Sequence, residues 1–419
     1  LGLIEWVAIL DFETVTEIFI RINSEGIVLS QADFVMSKIA ANEIYDGITL
    51  RKAIDYFCHL AIAPEFYAEL KENDPEYAQT DYFQQMDWLK KENDDLYDPR
   101  YTDLIRVSFT SEFERGRLSD LVSLLSGRNF ETRTFEEEIA EKSFAKLASG
   151  VHKAINETNF KRFLMIIKSA GFISPRMMRS MNAINFAYIV YLKLRALNYQ
   201  PNDIERYVRR WYVMSVLTGR YSGSPESQFD FDIKQIASRD FGDYLKNIEN
   251  GELSDAFWDV ELVQSLQTSV ASSPYFHVYL ASQVHDNDKG FLSREITVKD
   301  LITHKGDIHH VFPRDYLKKH GLSRGSYNQI ANYVYMQSEI NIRVGNKAPK
   351  VYFCELREQV HGGEIRYGGL DTQNSLTRNL HMNCIPNSVY DMTIDNYEDF
   401  LAERRVLMAQ KIKKYYFSL

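Results

Sequence analysis

Gly306-Asp307-Ile308-His309-His310-Val311-Phe312-Pro313-Arg314 sets two adjacent histidines between apolar residues and closes the run with a proline. That pattern suits the end of a short β-strand, where successive side chains point to opposite faces. One imidazole can then ligate a metal while its neighbour reaches the other side of the strand, or a bend, to act as a base. Neutral imidazole performs both tasks, and an ordinary pKa near 6.5 leaves it largely unprotonated at neutral pH.

Downstream, Asn328-Gln329-Ile330-Ala331-Asn332-Tyr333-Val334-Tyr335-Met336 supplies Asn332 at the start of a second apolar strand, 22 residues after His310, and Asn341 follows nine residues later. Ser338 to Lys347 reads as a short helix that stops at Gly345, with a turn before Pro349. The expected order is strand, loop, strand, helix. An isolated histidine pair is more often structural than catalytic. Its company here, with Asn332, Asn341 and Gly345-Asn346-Lys347 at these spacings, carries the functional reading.

Charge sets the same segment apart. Between 294 and 350 ten basic residues stand against five acidic ones, an excess of +5 in a chain of net charge -9, so the remainder carries -14. A basic patch on an acidic protein is the footprint of a locally met polyanion, because Lys and Arg that neutralise phosphates release counterions.

Working outward, only 10 Pro and 20 Gly punctuate 419 residues, and apolar residues repeat at helical spacing over long stretches. The fold class expected is mainly α, a large helical region followed by a small α+β domain of ββα form. Thr14 to Asn23 and Ser30 to Ala41 read as a helical hairpin turned at Gly26, with Ser30 as N-cap and Asp33 three residues on. Further helices are expected at Leu50 to Ile62, Leu118 to Leu125, Phe135 to Ile155, Phe160 to Ala170, Met181 to Leu197 and Asp203 to Leu217. The Lys71 to Tyr101 stretch reads as a solvated connection. Boundaries near 45 and 286 divide the chain into residues 1–45, 46–285 and 286–419.

The 45% hydrophobic content excludes a mostly disordered chain. No apolar run approaches the roughly 18 to 20 residues that span a bilayer, so no membrane partner is expected. Cys58, Cys354 and Cys384 are odd in number and widely spaced, which supports neither a disulfide framework nor a thiolate zinc site and fits a cytoplasmic protein. The abrupt apolar start at Leu1 gives the expectation that the chain is a piece of something longer.

His309-His310 at a strand end, then Asn332, then Asn341 with Asn346-Lys347 behind it, resembles the ββα-metal nuclease motif called HNH, in a His-Asn-Asn form. The His-His-Val-Phe-Pro and Asn-Ile-Arg-Val-Gly-Asn-Lys-Ala-Pro strings are similar to the C-terminal nuclease domain of GmrSD-type modification-dependent restriction endonucleases, over about 60 residues. Ile18 to Ser30 resembles the end of that family's N-terminal domain, and Trp211 to Asp232 resembles its helical middle.

The resemblance implies His310 as general base, His309 as metal ligand, Asn332 as brace of the loop behind the base, and Asn341 as second ligand. Asp307, two residues before His309, is a weaker metal candidate. Arg314, Lys318, Lys319, Arg343 and Lys347 are the candidate nucleic-acid contacts. A site of one imidazole and one amide carbonyl favours Mg²⁺ or Mn²⁺ completed by substrate phosphate oxygens. The family's Asp-Gly-Gln-Gln-Arg signature does not occur in these 419 residues, so NTP dependence is not carried over.

The function expected is therefore a metal-dependent DNA endonuclease that restricts modified or phage DNA. The alternative is a non-catalytic DNA-binding or oligomerisation module with a structural ββα unit. RNA is disfavoured as target because no aromatic RNA-binding signature is present. Cutting both strands needs two sites, so a homo-oligomer is the expectation that follows.

Overall fold

The computed structural model of the chain describes residues 30–91, 96–304 and 306–419. The expected helix at Thr14 to Asn23 and the turn at Gly26 lie outside them. The described residues are mainly helical, with one small two-stranded sheet. No described helix is long and apolar enough to cross a membrane.

The chain divides into two compact units. The first takes residues up to Asp94, Asp98–Phe160 and Ser224–Ala237. Its helix Gln31–Ala40 starts at a capping box, in which the Ser30 hydroxyl accepts from the Asp33 amide at 3.3 Å and the Asp33 carboxylate accepts from the Ser30 amide at 2.7 Å. Two of the orphan amides at the helix start are thereby satisfied. Ala32, Val35, Met36 and Ile39 recur at helical spacing and are buried, each large side chain contributing about 1.5–3 kcal/mol. Helices Gly47–Ile62, Tyr101–Phe113, Leu118–Leu125 and Glu137–Ile155 complete that core.

The stretch from Lys71 to Tyr101 departs from the expected solvated connection. Short helical turns at Tyr77–Gln79, Asp81–Gln85 and Asp87–Lys91 bury Tyr77, Tyr82, Phe83, Trp88 and Leu89. Charges dominate the composition there, but the apolar area of the interleaved aromatic rings decides the packing.

The second unit takes Asp95–Tyr97, Lys161–Gly223 and Ser238–Leu419. Helices Met181–Ala196 and Pro201–Leu217 bury Phe186, Tyr188, Trp211 and Tyr212. Helix α1, Pro274–His285, is buried from Phe276 through Val284. There follow strand β1 (Ile308–His310), helix α2 (Arg314–Lys319), strand β2 (Tyr333–Tyr335) and helix α3 (Ser338–Val344). Helices Pro349–Val360, α4 (Gln373–Met382) and α5 (Tyr397–Ser418) close the chain.

β1 and β2 pair antiparallel, with Ile308 opposite Tyr335, His309 opposite Val334 and His310 opposite Tyr333. Phe276 of α1 meets Tyr333 edge to face at 6.0 Å, so the sheet rests on the helical core. Helix α3 ends where Gly345 takes φ +55, a left-handed conformation that costs glycine least.

Candidate active site

Three-residue strands are too short to fix a side chain by pairing alone, and the loop after β1 is held by other means. Asn332 is 0% exposed and bonds Phe312 twice, its Oδ1 accepting from the Phe312 amide at 2.8 Å and its Nδ2 donating to the Phe312 carbonyl at 3.1 Å. The same Nδ2 reaches the Tyr327 carbonyl at 3.3 Å, and the Asn332 carbonyl accepts from the Val311 amide at 2.9 Å. Tyr352 donates its hydroxyl to the Val311 carbonyl at 2.9 Å. The backbone that leaves His310 is tied at both residues that follow it.

Arg404 of α5 fixes the other side. It is 0% exposed and donates to the Ala331 carbonyl at 2.7 Å and to the Asn383 carbonyl at 3.2 and 3.3 Å. Ala331 immediately precedes Asn332, so the turn into β2 is pinned by a residue 73 positions away.

His310 is half-buried. Its Nε2 lies 3.0 Å from Asn328 Oδ1 and its ring meets Tyr333 edge-on at 5.1 Å. The contact to Asn328 Oδ1 suits the tautomer that places the proton on Nε2 and the lone pair on Nδ1. Burial pushes the imidazole below its ordinary value, the Asn328 bond opposes this, and the charges of Arg314 and His309 add to the lowering. Burial likewise lowers His309, against the pull of Asp307. Both shifts favour the neutral imidazole.

His309 Nε2 is buried without a hydrogen-bond partner among the described residues. A buried imidazole nitrogen left unpaired is costly unless something coordinates it, and a metal ion satisfies such an atom. Asp307 is exposed beside it. Asn341, half-buried on α3, follows β2 after a short link, and β2 carries Val334 directly opposite His309. His309 and Asn341 offer one imidazole and one amide oxygen between them. Among the described residues no group of three or more His, Cys, Asp or Glu is placed to hold a metal, a donor count that an imidazole–amide pair does not meet.

The cations distribute unevenly. Arg314, Lys318 and Lys319 are exposed along α2, the helix that leaves the His310 loop, and Arg314 pairs with Asp315 at 3.4 Å. Arg343 on α3 donates to the Arg366 carbonyl at 2.7 Å. Lys347 is bound to Glu355 at 2.7 Å and to the Tyr367 hydroxyl at 2.9 Å. Burial alone would lower its ammonium, but those bonds hold it above the ordinary lysine value. Lys347 is half-buried in its ion pair, whereas the α2 cations, Arg314 in its own pair with Asp315 included, are exposed.

Asn328 and Arg404 carry no role in the sequence reading. Asn328 sits inside the stretch that contains Asn332, but nothing in its spacing distinguishes it. Arg404 lies in a helix rich in charges, and its burial is a property of the packed fold.

No family model matches this chain. An uncharacterized protein of Methanocaldococcus jannaschii is similar to it, at 26% identity over 170 residues, which is 39% of this chain and 27% of that protein. The chain thus matches about a quarter of that relative's length. No solved structure matches.

Proposed function

We propose that the chain is a metal-dependent endonuclease of the HNH, ββα-metal kind, cleaving DNA phosphodiesters in restriction of modified or phage DNA, as the GmrSD-type resemblance implies. The observation that carries this reading is the end of β1, where His310, held through Nε2 by Asn328, stands next to a His309 whose buried Nε2 has no hydrogen-bond partner among the described residues.

His309 and Asn341, with Asp307 nearby, are the residues that would hold the ion. When bound, a divalent metal supplies Lewis-acid stabilisation of charge on the phosphate and on the leaving 3′ oxygen. The protein's own groups do the rest. His310 Nδ1 takes a proton from the attacking water as the new P–O bond forms, and Asn328 steadies the imidazolium through Nε2–H. Asn332 and Tyr352 keep the loop from relaxing when that charge appears. Arg314, Lys318 and Lys319 attract the phosphate backbone toward the base.

The test is nicking of supercoiled plasmid, unmodified and phage-modified, by the chain and by His310→Ala, with Mg²⁺, Mn²⁺ or EDTA. Metal-dependent nicking that falls by about 10²–10⁴ in the variant, with DNA affinity kept, is the expected result. Binding without cleavage under every condition would instead mark a DNA-binding module.

A further inference from the structure

Two cavities of about 370 and about 400 Å³ open on the second unit and share the wall Ser293–Arg294. One runs from that wall along α4, the other along α3. Lys289 and Arg378 line the first, Arg343 and Arg366 the second, and Arg294 stands in both. These five cations face three lining carboxylates, Asp286, Glu295 and Glu339. Of those, Asp286 is engaged by Lys411 at 3.1 Å and Glu295 by Arg294 at 3.3 Å.

The shared wall is held in place. Asn379 of α4, 3% exposed, accepts from the Leu292 amide at 2.8 Å and donates to the Gly290 and Ser293 carbonyls at 2.9 Å each. The Phe291 amide donates to the Tyr335 carbonyl at 2.8 Å, which joins the wall to β2. The Arg294 amide donates to the carbonyl of Gly368 at 3.0 Å, where φ is +54 and a Cβ would clash with the Leu292 carbonyl. The guanidiniums of Arg294 and Arg366 are held by exposed Asp371 and Glu364 at 2.7 and 3.2 Å, pairs weak enough in water to yield to phosphate oxygens, and Arg366 also lies 4.0 Å from half-buried Glu355. Arginine's planar fork suits those oxygens.

We propose that this trough is a track for the phosphodiester backbone of the nucleic acid, flanking the phosphate that is cut. The proposal rests on the nuclease reading. Three features support it: two open cavities that meet at Ser293–Arg294, guanidiniums lining both, and a wall joined to β2 and α3. The contact is to backbone, so it adds affinity without base preference.

The test uses the full 419-residue chain carrying His310→Ala, so that DNA is bound but not cut, with an end-labelled duplex titrated in EDTA across a range of salt. Changing Arg294, Arg366 and Arg378 together to Gln is expected to weaken binding about tenfold or more at low salt. The slope of log Kd against log salt should fall by about two to three. Lys at the same three positions should restore most of that slope. Unchanged affinity and slope in the Gln variant, with metal-dependent nicking by the unsubstituted chain that His310→Ala abolishes, overturns the trough and leaves the nuclease standing. Binding lost in the Gln variant and not restored by Lys also overturns it, because charge is then not the cause. If the parent chain neither binds nor nicks any DNA, both readings fall.

Discussion

Asn332 grips Phe312 by both edges of its amide, accepting from the backbone N–H at 2.8 Å and donating to the carbonyl at 3.1 Å. A side-chain amide that replaces a missing strand partner on both groups does for this loop what a third strand would do. It fixes the backbone two residues beyond His310 without adding a charge. Truncation leaves a buried donor and a buried acceptor unpaired, and each costs roughly 1–3 kcal/mol.

Asn332→Ala is therefore expected to lower stability by about 2–4 kcal/mol and to reduce cleavage by roughly 10- to 100-fold. Chemical denaturation and plasmid nicking measure the two effects. A variant that unfolds at the parent's denaturant midpoint contradicts this account of the loop.

Asn328 acts on the base from the other side. Its contact at 3.0 Å to His310 Nε2 sets which ring nitrogen holds the proton. Asn328→Leu leaves the backbone bonds of the loop in place but frees the ring to turn and to change tautomer. The expected outcome is a fall in kcat of about 10- to 100-fold with DNA affinity kept. Weakened binding with unchanged kcat would assign Asn328 to DNA contact instead.

His277 on α1 gives a pH prediction. It is 7% exposed, its Nδ1 has no partner among the described residues, and burial, with the nearby charge of Arg179 adding to it, pushes its pKa down to about 4. The folded form is thus held below the ordinary value near 6.5, so the unfolded chain binds the proton first as pH falls. Stability from this group is complete above about 6.5 and is lost as pH drops toward 4. The loss reaches at most roughly 3–4 kcal/mol. In His277→Phe the fall in stability between those pH values should be visibly shallower, as read by denaturant midpoints across the range. Parallel curves for the two proteins would remove His277 as the cause.

Several local features were legible in the sequence because they depend on near neighbours. Ser30 and Asp33 mark a helix start, Gly345 marks a helix end, and the apolar residues around His309-His310 and Tyr333 to Tyr335 mark two short strands with a helix behind them. What escaped reading depends on distance along the chain. Arg404 reaches Ala331, Tyr352 reaches Val311, and Asn379 reaches Gly290, so none of these pairings leaves a pattern within one segment. The aromatic residues among the charges of Lys71 to Tyr101 show the same limit. Local composition reports polarity, whereas burial is decided by what the rest of the chain brings to that face.

Arg404 illustrates how such a distant residue bears on the site. A guanidinium that is 0% exposed and bonded to the carbonyls of Ala331 and Asn383 keeps a charge inside the unit, which is tolerable only because its hydrogen bonds compensate lost hydration. Arg404→Met nearly preserves the volume and removes the charge, but leaves two buried carbonyls short of donors. The charge no longer has to be desolvated, which offsets part of the loss. A net destabilisation of about 1–3 kcal/mol is expected, smaller than for Arg404→Ala, which adds a cavity. Both variants loosen the turn into β2, so hydrogen exchange at the Asn332 and Tyr333 amides should quicken in each. Exchange there at the parent's rate, in a protein measurably less stable overall, would separate Arg404 from the site and confine it to the packing of α5.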